Sequence, residues 1–247
     1  MVAHAALAHM LSRPYYKIAA AEPEFRAGIV AYVRETPTIA DTKFDFARSL
    51  TGAAHAVLCA DKTSLDGLLE RLYQFDMETA QMAEHEIRVA VASHDDDKRR
   101  QISGYIPYDR AGDAAWAIFE NNRNPQWAIS AYEAYIRAGE ISANLDREYS
   151  VHFYRNAGDA ANALSKITRR TEWLRAAISC YDRFLRYYYS NNGQETLIDV
   201  KTERLINAVR QNRDFVQHIL SARGPQRKGQ YPKSASGREI RRRGSHR

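Results

Sequence analysis

Residues Tyr108–Arg137 read YDRAGDAAWAIFENNRNPQWAISAYEAYIR, and residues Tyr154–Arg183 read YRNAGDAANALSKITRRTEWLRAAISCYDR. The two stretches align without a gap at a spacing of 46 residues, with 12 of 30 positions identical. The identities include an Ala-Gly-Asp-Ala-Ala block at Ala111–Ala115 and Ala157–Ala161 and a tryptophan at Trp127 and Trp173. A period of this length marks stacked helical units, because one such unit cannot bury its apolar face alone. The chain is therefore expected to be all-α, built around a two-unit helical repeat.

Each copy carries its own punctuation. Gly112 and Gly158 read as left-handed residues that end a helix, with Asp113 and Asp159 capping the next one. Ala114-Ala115 and Ala160-Ala161 keep that helix start slim enough for a neighbour to approach. A second turn is expected at Arg123-Asn124-Pro125, with Asn124 as cap and Pro125 as first helical residue. Its counterpart is Arg169-Arg170-Thr171, with Thr171 as cap. Trp127 and Trp173 open the following helices, and Tyr135 and Tyr181 fall about two turns later on the same face.

In these residues the chain resembles the tetratricopeptide and related helical-hairpin repeats. The resemblance runs through Tyr108, Gly112-Asp113 and Ala117-Ile118, and again through Tyr154, Gly158-Asp159 and Ala163-Leu164. It covers Gly104 to Tyr189 and implies a protein that holds a partner. The 46-residue period departs from the family's 34 and is nearer to HEAT or armadillo arrays, leaving room for a third short helix per unit.

Outward from the repeat, residues 1–103 read as an N-terminal helical region of four helices. Pro14, Pro23 and Pro37 delimit the early pieces, and Thr63 with Asp66 resembles a capping box. Leu68, Leu69, Leu72, Tyr73, Ile87 and Val91 predict one long helix or two, ended by His94-Asp95-Asp96-Asp97. The repeat occupies 104–192. Residues 193–222 predict a capping helix across its open end, with Ile198, Leu205, Val209, Val216 and Ile219 near one stripe.

The net charge of +6 conceals an asymmetry. Residues 223–247 hold nine Lys or Arg against Glu239, so this tail carries +8 and the remaining 222 residues sum to −2. Four glycines, two prolines and three serines among those charges predict a disordered tail. Its basicity points to an acidic partner, RNA first, by phosphate contacts that release counterions. Cys59 and Cys180 form no metal or redox spacing and read as two buried thiols of a reducing compartment. No apolar run approaches the ~18 residues of a membrane span. Met1–Ala21 lacks acids and reads as a first helix or an organellar address; His4 and His9 spoil a secretory pattern. The expected compartment is intracellular, cytoplasm or mitochondrion.

Catalytic signatures are thin. Arg48–His55, Arg147–His152 and Arg213–His218 resemble the arginine-to-histidine motif of the HEPN ribonucleases, which would imply RNA cleavage with Arg213 and His218 in one cleft. Three matches are what chance supplies among 28 arginines and 8 histidines. Glu84-His85-Glu86 and the 94–97 cluster follow no metal-ligand spacing. No cofactor is called for. Ten of 15 tyrosines lie between Tyr105 and Tyr189, either as packing between helices or, with interleaved arginines, as a groove that stacks on bases or grips a peptide. The candidate binding residues are Tyr132, Tyr135, Arg137, Tyr181, Arg183 and Arg186 on the repeat, with Arg238, Arg241, Arg242 and Arg243 on the tail. The expected function is a non-catalytic scaffold or adaptor subunit of a larger assembly, a ribonucleoprotein first. An accessory subunit of an organellar membrane complex and a HEPN-like ribonuclease are the alternatives, and two repeat units leave a face open for dimerisation.

Overall fold

The computed structural model describes residues 23–58, 67–95, 97, 102, 104–145, 147–191 and 200–223. The basic tail beyond Arg223, the Met1–Ala21 segment, the Thr63/Asp66 box and Cys59 lie outside the described residues. The helices are α1 (Pro23–Glu35), α2 (Phe44–Leu58), α3 (Leu68–Ala92), α4 (Tyr105–Asn122), α5 (Pro125–Leu145), α6 (Arg147–Thr168), α7 (Thr171–Asn191) and α8 (Val200–Ala222). No strand occurs among the described residues, and the fold is an all-α helical array.

Each helix from α3 onward packs chiefly on its sequence neighbours, so α4–α5 and α6–α7 are successive hairpins. Both tight turns use the same device. Arg123 and Arg169 adopt left-handed backbone with φ of 56° and 55°, which stops one helix and swings the chain back into the next. After the first, the Asn124 side chain accepts the Gln126 N–H at 3.0 Å and Pro125 begins α5, as the sequence predicts. After the second, Thr171 is already helical, in the place of Pro125; the Arg170 N–H is instead taken by the Thr168 hydroxyl at 3.4 Å. The capping role given to Thr171 is therefore corrected.

A larger correction concerns the glycines. Gly112 and Gly158 lie inside α4 and α6 and end nothing. They are where another helix comes closest. A Cβ on Gly112 would sit 2.5 Å from the Tyr135 ring, and one on Gly158 would sit 2.5 Å from the Tyr181 ring. Gly139 on α5 receives Tyr154 of α6 in the same way, at 3.0 Å. Asp113 and Asp159, expected as caps, accept the same tyrosines' hydroxyls at 2.7 and 2.6 Å. Each hairpin is thus locked by a ring lying on a glycine with its hydroxyl bonded to the next residue.

No third short helix occurs in either hairpin among the described residues; the extra length goes into helices of 18–22 residues. On the N-terminal side, α1, α2 and α3 share an apolar core built on Phe25, Ile29, Leu50, Val57, Leu72 and Phe75 that extends to Ala114 of α4. The region predicted to hold one long helix or two is one helix, α3, and it stacks directly on α4. At the other end α8 lays Ile206, Val209 and Val216 against α7. Ile206, which the expected stripe did not include, belongs to this face; Ile198 falls outside the described residues.

Candidate anion-binding groove

Where α8 crosses α7, two adjoining hollows are lined by twelve side chains, five of them arginines. One hollow of about 330 Å³ is lined by residues including Arg175, Asp182, Arg183, Arg186 and Gln217. A second, of about 450 Å³, is lined by Asp182, Leu185, Arg186, Arg210, Arg213 and Asp214. They share Asp182 and Arg186 and form one furrow in which five arginines face two carboxylates. On α7, Arg175, Arg183 and Arg186 span three helical turns, about 16 Å of rise. That length suits a chain of negative groups better than a single ion.

The acids do not cancel the arginines evenly. Arg213 takes both: its Nε donates to Asp182 at 3.0 Å and its Nη1 to Asp214 at 3.1 Å. Those two hydrogen bonds raise the Arg213 pKa further above its ordinary value. Arg183 lies over the Tyr154 ring at 5.1 Å, which orients the guanidinium while leaving its hydrogen-bonding edge open. Arg175 and Arg186 are exposed and, among the described residues, have no carboxylate or hydrogen-bond partner. Guanidinium forks held this way match phosphate or carboxylate oxygens in pairs.

The remaining sequence candidates divide. Tyr135 and Tyr181 are buried, 3% and 0% exposed, and belong to the glycine locks, not to a surface. Burial first, then the adjacent Asp113 and Asp159, drives both phenols above their ordinary pKa. Tyr132 is half-buried against Trp173 at 5.4 Å, in the contact between the two hairpins. Arg137 lies at the surface but is engaged: its Nη2 meets Glu84 of α3 at 2.9 Å, and Tyr108 donates to the same carboxylate at 2.8 Å. Burial alone would raise Glu84, yet these donors outweigh it and its pKa falls below the ordinary value. Tyr187 and Tyr188 pack in the α7–α8 core. The tyrosine surplus, where described, mostly serves packing. Arg238, Arg241, Arg242 and Arg243 lie outside the described residues.

Arg183 and Arg186 alone of the predicted set come together. Their partners across the furrow are Arg210, which sequence reasoning missed, and Arg213, which it had read only as half of a ribonuclease motif; a spacing of three places both on one face of α8. His218 lines neither hollow, and Arg213 is tied to two carboxylates, so the two residues of the ribonuclease alternative are not assembled in this groove. Of the other two matches, His55 is paired with Asp76, and His152 is exposed on α6. Among the described residues no group of three or more His, Cys, Asp or Glu is placed to hold a metal ion. Cys180 is a buried free thiol whose pKa burial pushes up to about 11.

The architecture defines a helical-repeat protein, a class that rests on the chain's own stacked hairpins. No protein-family profile and no curated protein sequence matches the chain. Among solved structures, the crystal structure of the de novo designed helical repeat protein DHR64 is similar, at 15% identity and a TM-score of 0.41, over 87% of this chain and 93% of that one. No helix among the described residues is long and apolar enough to cross a membrane.

Proposed function

We propose that the protein is a non-catalytic scaffold or adaptor subunit of a larger assembly, a ribonucleoprotein in its most concrete form. In this reading the repeats are tetratricopeptide-like hairpins on a 46-residue unit. The last of them offers the α7–α8 groove to the phosphates of an RNA, with the basic tail as an electrostatic anchor. The observation that carries the reading is the groove, where five arginines face two carboxylates and Arg175 and Arg186 are unengaged among the described residues. The tail begins immediately after α8, one of the groove's two walls.

Among the described residues no aromatic side chain lines the groove; its apolar members are Ile178, Leu185 and Leu220. Stacking on bases is therefore not the mode proposed. Phosphate contacts alone give affinity without sequence preference and a steep dependence on salt. Removing two of the arginines tests this. Arg183→Ala with Arg186→Ala in the full chain removes two phosphate contacts and lowers the slope of log K against log salt by about 1.4 to 1.8 on RNA. Unchanged affinity and slope in that variant would remove the groove from the function.

A further inference from the structure

Among the described residues, Asp182 is the one carboxylate common to both hollows of the furrow. It belongs to a pattern on α7. Arg175, Ser179, Asp182 and Arg186 follow one another at intervals of four, three and four residues, which puts them in one stripe along the helix. The stripe has a cation at each end, with a hydroxyl and a carboxylate between. By the helical rise Asp182 stands about 10 Å along from Arg175 and about 6 Å from Arg186. A nucleic-acid strand alternates in a matching way, with anionic phosphates separated by sugars.

The carboxylate is half used. Its Oδ1 accepts the Arg213 Nε–H at 3.0 Å, while its Oδ2 has no hydrogen-bond partner among the described residues. The side chain is 41% exposed where it borders the two hollows. Ser179, one turn earlier, is exposed, and its hydroxyl has no partner among the described residues. A phosphate seated on Asp182 would meet a like charge. A carboxylate oxygen accepts hydrogen bonds and donates none, so the ligand group it suits is a donor. On an RNA strand the sugar between two phosphates carries such a donor, the 2′-hydroxyl, and on DNA the same position is a C–H group.

We propose that Asp182 makes the furrow selective for RNA over DNA: Arg175 and Arg186 hold phosphates on either side, and Asp182 Oδ2 accepts a hydrogen bond from a ribose 2′-hydroxyl between them. Asp182 is then a specificity-determining residue of the groove, an inference that rests on the RNA reading of that groove given above. With DNA bound, the same oxygen gives up its water and gains no partner, which is how a site built around a hydroxyl rejects the analogue that lacks it. Asp182 also holds Arg213, but that role does not distinguish the two sugars. Asp214 supplies the comparison. It holds the same guanidinium at 3.1 Å, yet it lies on α8, off the α7 stripe, and borders only the second hollow.

Binding of oligouridylate and oligodeoxyuridylate of equal length to the full chain, at one salt concentration, tests this. The bases and phosphates are the same, and only the 2′ position differs. The RNA strand is expected to bind about threefold to tenfold more tightly, the effect of one hydrogen bond of ordinary strength. A 2′-fluoro strand keeps the RNA sugar pucker without the donor and is expected to bind like DNA. Asp182→Ala brings the RNA-to-DNA ratio to about 1, whereas Asp214→Ala shifts both affinities and leaves the ratio as it was. A ratio near 1 in the unaltered protein, a 2′-fluoro strand that binds as tightly as RNA, or a ratio unchanged in Asp182→Ala would overturn the inference. None of these touches the phosphate groove, whose own test is the salt slope of the Arg183→Ala, Arg186→Ala variant. Absence of binding to either strand would overturn both.

Discussion

At the scale of the residue, the hairpins are held by a ring on a glycine. The Tyr181 ring is fully buried over Gly158 and cannot swing aside for a methyl group that would arrive 2.5 Å away. Gly158→Ala is expected to destabilise the protein by about 1 to 3 kcal/mol, the usual range for overpacking. Gly28, in the middle of α1, has nothing within 4 Å of its would-be Cβ. There the same substitution removes only backbone freedom and should stabilise by roughly 0.5 to 1 kcal/mol. Thermal melts of the two variants read both signs, and equal shifts would contradict the lock. The glycines and tyrosines were conspicuous in the sequence as repeated letters, but their relation was not legible. Gly-Asp resembles a helix end, and nothing local reveals that a ring 23 residues downstream lies on that glycine. The pairing of His55 with Asp76 was hidden for a similar reason: they lie 21 residues apart on two helices whose buried faces are mostly apolar, and only the fold brings them together.

At the scale of the element, the turns rest on left-handed arginines. A residue with a Cβ is disfavoured there by roughly 1 to 2 kcal/mol, and glycine escapes that penalty while gaining freedom in the unfolded chain. Arg169→Gly is therefore expected to raise stability by about 0.5 to 1 kcal/mol, measured by denaturant melt. The hydrogen bond from Arg223 to this turn uses the Arg169 carbonyl and survives the change. A loss of stability would mean that the Arg169 side chain matters more to the α6–α7 turn than its backbone does. The turn at Arg123-Asn124-Pro125 was legible because Asn and Pro carry the cap and the helix start in their own chemistry. The matching turn at 169–171 was found through the repeat, with Thr171 misread by one position. Helix α8 was legible in outline from its apolar stripe, though its buried face includes Ile206, which that stripe did not contain.

At the scale of the whole molecule, the N-terminal helices and α8 continue the stack that the repeat begins, so the two units do not stand alone. The charge is distributed along that stack. The chain outside the tail sums to −2, yet α7 and α8 together gather five arginines in one furrow. Composition disclosed the basic tail and hid this furrow, since local clustering disappears in a sum. Arg183 and Arg186 were named from the sequence as binding residues and Arg213 in another role; that α8 forms the other wall came only with its packing on α7. The proposed function makes the groove a binding surface in its own right, with the tail as an additional anchor. RNA binding across a salt series, by the full chain and by a truncation ending at Ala222, separates these contributions. The account predicts that the truncation still binds, more weakly and with a shallower salt slope, and that Arg183→Ala with Arg186→Ala in the truncation removes what is left. Binding confined to the tail, or absent from both forms, would contradict it.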